Sequence, residues 1–144
     1  MSEEPEAEAN WPRIAFAAPV NGAPGFTISI PPGLVRRPPE GPLIDFAGED
    51  ISIRIDYGPT YEQPTCRAPR CTIHHLKIDG REARMFGVDI YNPGSPYTRR
   101  TWFLVNVTGR TSLALDVACA RGAACARAER IVRTIEFQSR PNSR

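Results

Sequence analysis

Four cysteines and two histidines are the side chains of this sequence most able to do chemistry, and the stretch TCRAPRCTIHH at 65–75 holds both histidines and the first two cysteines. A structural zinc ion needs four ligands that converge as a tetrahedron, usually from C-x2-C or H-x3-H pairs. The spacings here are C-x4-C for Cys66 and Cys71 and C-x5-C for Cys119 and Cys125. His74 and His75 are adjacent in a predicted strand, which sends them to opposite faces, so at most one could join the first cysteine pair. A thioredoxin-like redox pair fits no better, because it needs C-x2-C at a helix amino terminus that stabilises the thiolate. Disulfides fit best: the count is even, both pairs are local in sequence, and each loop carries Pro or Gly that lets the Cα atoms approach. Loops this short contribute about 2 kcal/mol each through chain entropy. Free buried thiols and a metal site stay as the alternatives, and the pairing is left open.

Disulfides persist in the periplasm or outside the cell and not in a reducing cytosol. The expectation is therefore a periplasmic or otherwise exported protein whose signal peptide is not part of this sequence, since no basic-then-apolar start is present. No apolar run reaches the roughly 18–20 residues of a membrane span, and a lipid anchor in the native gene is left open. The chain opens MSEEPEAEAN, with nothing to bury. We read residues 1–12 as a disordered acidic tail, 13–138 as one globular domain and 139–144 as a flexible carboxy terminus.

The formal charge of +2 becomes +6 once the four glutamates of residues 1–10 are set aside. Lys77 is the sole lysine among the 18 basic residues. Arginine binds carboxylate and phosphate bidentately, but the basic residues are spread along the chain without a nucleic-acid-binding motif, so no nucleic acid partner is expected. Neither G-x-S-x-G, H-E-x-x-H nor a phosphate-binding loop is present. Ser95, in the turn NPGSPY, has no base nearby in sequence, and Asp45, Glu49, Asp50 and Asp56 read as surface charges around a strand. Asn106 heads an N-V-T triplet that we read as a chance match to a glycosylation acceptor. No enzyme, cofactor or metal is expected.

The elements that must position these residues are cut out by Pro and Gly clusters at 19–25, 31–42, 58–70 and 92–97. Between them Phe26, Ile28 and Ile30 alternate with polar residues. So do Ile51, Ile53, Ile55 and Tyr57; Phe103, Val105 and Val107; and Leu113, Leu115, Val117 and Cys119. Period-2 alternation marks a half-buried antiparallel strand. Asp79-Gly80 predicts a type I′ hairpin turn within 72–91. That register pairs Lys77 with Glu82 as a cross-strand ion pair and His75 with Arg84 on the polar face. It places a partly buried His74 with Leu76, Ile78 and Met85. Phe86, Val88 and Ile90 have the other parity, so a β-bulge is expected near Met85 to Gly87. Ala124, Ala128, Ile131, Val132 and Ile135 share one stripe of a helix that ends before Phe137. The expected fold is α+β: an antiparallel sheet of five to six strands with a carboxy-terminal helix packed on one face.

The succession GFTISIPPGL, GEDISIRIDYGPTY, LKIDGREARMF, SLALDVAC and ERIVRTIEF, spanning most of residues 25–137, resembles the PsbP-like α/β/α sandwich family of small bacterial exported proteins and lipoproteins. That resemblance implies the fold and little about activity. Relatives include an extrinsic subunit of the oxygen-evolving complex, a nuclear-import factor that binds a small GTPase, and chaperone-like bacterial proteins. Most bind or assemble other proteins.

The candidate binding surface joins Tyr57, Tyr61, Tyr97 and Trp102 to Arg67, Arg70, Arg99 and Arg100, on strand ends and the loops 58–70 and 92–101. Tyr, Trp and Arg are the residues enriched at binding hot spots. The leading expectation is a non-enzymatic exported module that binds or helps assemble another envelope protein. The alternative is a binder of a small anionic or lipidic ligand in a cleft between helix and sheet. Periplasmically expressed protein, measured intact by non-reducing mass spectrometry after alkylation, should carry no alkyl adducts. Four adducts would overturn both the disulfides and the export they imply.

Overall fold

Chains of alternating apolar and polar residues are stable as sheet only where one face is kept dry, and most of the strands here have such a face. The computed structural model describes residues 10–18, 22–38, 43–59, 66–67, 69–90, 93–120 and 122–138. In chain order the elements are β1 (Arg13–Phe16), β2 (Phe26–Ser29), β3 (Val35–Arg37), β4 (Ile44–Ala47), β5 (Ile51–Pro59), β6 (Cys71–Ile78), β7 (Arg81–Asp89), β8 (Arg99–Thr108), β9 (Thr111–Cys119), α1 (Ala123–Arg133) and β10 (Glu136–Phe137). They make two antiparallel sheets. The smaller has the order β1-β2-β10 and the larger has the order β3-β4-β5-β9-β8-β7-β6.

Residues directly opposite in an antiparallel ladder share a face. Ile55 therefore stands beside Leu115, Phe103 and Met85 across four strands, and Tyr57 beside Leu113, Val105 and Ala83. This inner face is buried by α1, through Ala124, Ala128, Ile131 and Val132, and by Phe26 and Ile28 of the small sheet. Phe26 packs against Phe16, Tyr57 and Phe137 with ring centroids 5.3, 5.5 and 6.3 Å away. Trp11 is only 4% exposed and belongs to the same core, so the folded domain reaches back past the boundary read at residue 13.

The expected sheet of five to six strands is overturned. Among the described residues ten strands in two sheets form, and a helix and a second sheet share the covering of one face. An α/β/α sandwich would place helices on both faces, whereas α1 is the one helix among the described residues and it lies on the inner side. The physical reason is strand length. β1, β3, β4 and β10 have four, three, four and two residues, too few for a period of two to stand out. β3 also lies inside the Pro-rich stretch that reads as a connection.

The hairpin forms as the turn chemistry requires, with Asp79 at φ 50° and Gly80 at φ 76°. Lys77 does stand opposite Glu82 and His75 opposite Arg84, yet Lys77 and Glu82 make no ion pair among the described residues. The bulge is a second correction. β6 and β7 pair without interruption from Cys71 with Val88 to Ile78 with Arg81, and the irregularity lies instead in β8–β9, between Asn106 and Thr108. Phe86 and Val88 keep their parity and point to the outer face, where they meet Cys71, Cys66, Leu104 and Trp102 in a second, smaller apolar cluster. Phe86 is fully buried there.

A Cβ at Gly80 or at Gly109 would meet no atom within 4 Å, but only Gly80 has positive φ. Gly80→Ala should therefore cost about 1 kcal/mol from backbone strain alone. Gly109→Ala should be near neutral. Urea unfolding of both variants checks this, and equal effects would contradict the type I′ assignment.

Candidate functional site

The inner face of the large sheet is filled by packing, so surface chemistry falls to its outer face and its edges. One transverse row of that outer face runs Ile73, Phe86, Trp102, Asp116, Arg54, Asp45 and Arg37, one residue from each strand. Its β6–β8 half is apolar and its β9–β3 half alternates in charge. Arg54 donates two hydrogen bonds to Asp45, at 2.8 and 3.0 Å. Arg100, in the next row, donates to both Asp116 oxygens, at 2.9 and 2.5 Å. Its guanidinium also lies 4.5 Å from the centroid of the Trp102 ring. Paired, planar contacts of this kind hold an arginine and an indole in fixed geometry before any partner arrives.

The groove over the charged half is shallow, about 220 Å³. The hydrogen bonds from Arg54 hold the Asp45 carboxyl below its ordinary value, against the opposing effect of burial. On the inner face burial pushes the Tyr57 phenol up. It stays protonated and donates to the Pro24 carbonyl at 2.7 Å.

The candidate surface read from the sequence is divided by the sheet. Arg100 and Trp102 are together on the outer face. Arg67 and Arg70 are exposed beside the Cys66–Cys71 disulfide, whose Cα atoms are 5.1 Å apart. Tyr57 points into the core. Tyr97 is half-buried, with its hydroxyl 3.5 Å from the Gly48 carbonyl oxygen it donates to. Arg99 takes the inner side, where it pairs with Asp89 at 3.0 Å and passes over Gly87, which has no Cβ to obstruct it. Tyr61 lies outside the described residues. His74, expected to be partly buried, is exposed, as is His75, because β6 is the last strand of the sheet and, among the described residues, no element covers its flank.

Cys119–Cys125, with Cα atoms 5.2 Å apart, ties the end of β9 to the first turn of α1. Both disulfides are thus present, and disulfides are the chemistry of an oxidising compartment. Among the described residues no three His, Cys, Asp or Glu side chains gather as a metal site, and no helix is long and apolar enough to cross a membrane. Sequence reasoning missed the β6 flank, with Ile73, His75, Lys77 and Arg84. Only the order of strands shows that β6 is an edge.

Fold and face together define a mostly β, doubly disulfide-bonded module with one covered sheet face and one that is open outside the buried patch of Cys71, Phe86 and Leu104. No protein-family model and no curated protein matches the chain. A solved structure from Bacteroides thetaiotaomicron VPI-5482 is similar to it, with a TM-score of 0.55 at 15% identity over 79% of this chain and 45% of that one. The likeness is one of fold, and this chain spans less than half the length of that protein.

A depressed Asp45 pKa favours the folded state at neutral pH, and that contribution is lost as pH falls through the folded value. Side-chain exposure of 52% for Arg54 and 25% for Asp45 keeps it below about 1 kcal/mol. Asp45→Asn should therefore be slightly destabilising at pH 7 and indistinguishable from wild type near pH 2. Urea titrations across that range provide the check, and a constant difference at all pH values would contradict the linkage.

Proposed function

We propose that this protein is a non-enzymatic, exported, periplasmic module that binds another envelope protein on the outer face of its seven-stranded sheet. The observation that carries this is the Arg100–Trp102 pair, half-exposed, fixed by Asp116 and set beside the apolar cluster of Phe86 and Leu104. Trp and Arg anchors of this kind dominate binding energies at protein interfaces. Arg67, Arg70 and Arg84 add positive charge around the same face, favouring a partner surface that carries carboxylates. The two disulfides support export.

A second reading has its own observation. A cleft of about 180 Å³ lies between α1 and the inner face, lined by Met85, Phe103 and Val117 with Arg99 at its rim. It suits a small amphipathic carboxylate, being well below the roughly 300 Å³ at which larger ligands are enclosed.

A photo-crosslinking residue placed at Ala118, on the outer face, should capture one discrete envelope protein from cells exporting the chain. The same residue at Ala126, on the exposed side of α1, should not. Trp102→Ala should weaken capture roughly 30-fold, the effect of losing about 2 kcal/mol. Equal capture from both positions, or capture indifferent to Trp102 in a variant with native circular dichroism, would overturn the proposal.

A further inference from the structure

β6 ends the large sheet and has eight residues, a length of about 26 Å of open backbone. Natural edge strands are blunted by shortness, prolines, bulges or inward charges, because unpaired N–H and C=O groups recruit other strands. The opposite edge, β3, obeys this with three residues. β6 does not: its register with β7 is unbroken, it contains no proline, and its charge sits near one end at Lys77. Thr72, Ile73, His74 and His75 are all exposed, and Ile73 is 45% exposed, one of two large apolar residues so exposed among the described residues.

Charge on this flank is equally unbalanced. Arg13, Arg54, Arg99, Arg100 and Arg133 are held by carboxylates. The side chains of Arg67, Arg70, Lys77 and Arg84 make no hydrogen bond or ion pair among the described residues, and all four lie in β6 or beside it. Glu82 is the one carboxylate on the outer face of β6 and β7. A depression of about 430 Å³ on the outer side of β6 is lined by His75, Lys77, Glu82, Arg84 and Asn106.

We propose that β6 is a strand-addition site for an extended acidic segment of the protein partner. The proposal rests on the protein-binding reading and specifies how the partner is held. Main-chain hydrogen bonds to the open edge supply affinity, and alternate side chains supply specificity. Side chains of the added strand that face outward meet His75, Lys77 and Arg84 and are carboxylates. Those that face inward meet Leu76 and Ile78 and are aliphatic. The segment recognised therefore alternates acidic and aliphatic residues, and a basic one is rejected by like charge.

The test uses the full oxidised chain and blocked eight-residue peptides of alternating Glu and Val, alternating Lys and Val, and two Glu-Val peptides N-methylated on alternate residues in the two opposite phases. Binding is read by fluorescence anisotropy and by hydrogen exchange of the β6 amides. The Glu-Val peptide should bind at least tenfold tighter than the Lys-Val peptide and slow exchange in β6. One N-methylated phase should bind at least tenfold more weakly and the other nearly normally, since only one edge of an added strand pairs. Lys77→Glu with Arg84→Glu should cost at least tenfold, while Arg36→Glu, on the opposite edge strand β3, keeps peptide affinity. Equal affinity of both N-methylated phases, equal affinity of the Lys-Val peptide, or no binding at millimolar peptide would overturn the proposal. So would dimerisation of the chain through β6, seen by sedimentation and lost in the double variant, because it would assign the edge to a second copy. Peptide failure with crosslinking through Ala118 intact removes the edge site alone. Loss of that crosslinking removes the outer-face reading itself.

Discussion

Phe26, enclosed by Phe16, Tyr57 and Phe137, is the contact that seats the small sheet on the large one. The inner face of the large sheet is a continuous aliphatic surface, and α1 alone, eleven residues long, covers only part of it. β2 covers the rest. Polar clamps then fix the position of β10: Asp79 accepts a hydrogen bond from the Phe137 amide at 2.8 Å, and Arg81 lies 4.7 Å from the centre of its ring. Arg13 adds a bond to Ser29 at 2.7 Å and another to the Thr134 carbonyl at 2.9 Å, joining β1, β2 and the end of α1. The one-sided burial that results is what leaves the other face for surface chemistry.

The two disulfides act on this arrangement in different ways. Cys119–Cys125 joins the last inward residue of β9 to the first turn of α1, so the helix starts directly above the sheet it must cover. Cys66–Cys71 holds the chain before β6 against Phe86 and Leu104 on the opposite face. Each is a short loop with modest entropic worth, and each matters more for where a segment is placed. The second also sets Arg67 and Arg70 beside the open edge.

The parts of the fold legible in the sequence were those whose signal is local. Asp79-Gly80 specified its turn through the positive φ that glycine tolerates. The stripe from Ala124 to Val132 matches the buried side of α1, and the alternation of Ile51, Ile53 and Ile55 gave the inner face of β5. Phe86 and Val88 show where local pattern misleads. Their parity looked like a strand changing faces, because a second apolar cluster on the outer side was not anticipated. The candidate surface failed for a related reason: neighbours such as Arg99 and Arg100 are close in sequence but point to opposite sides of a strand.

From the sequence alone came the presence of disulfides, with their pairing open, together with the hairpin, the helix and the long alternating strands, since each depends on residues within a few positions of one another. Only the tertiary structure decided that the strands divide into two sheets, that Trp102 and Arg100 share an open face, and that β6 lies at the edge while β9, far along the chain, lies between β5 and β8. Strand order is set by which faces and edges must be hidden from water, a property of the assembled sheet that no single segment encodes.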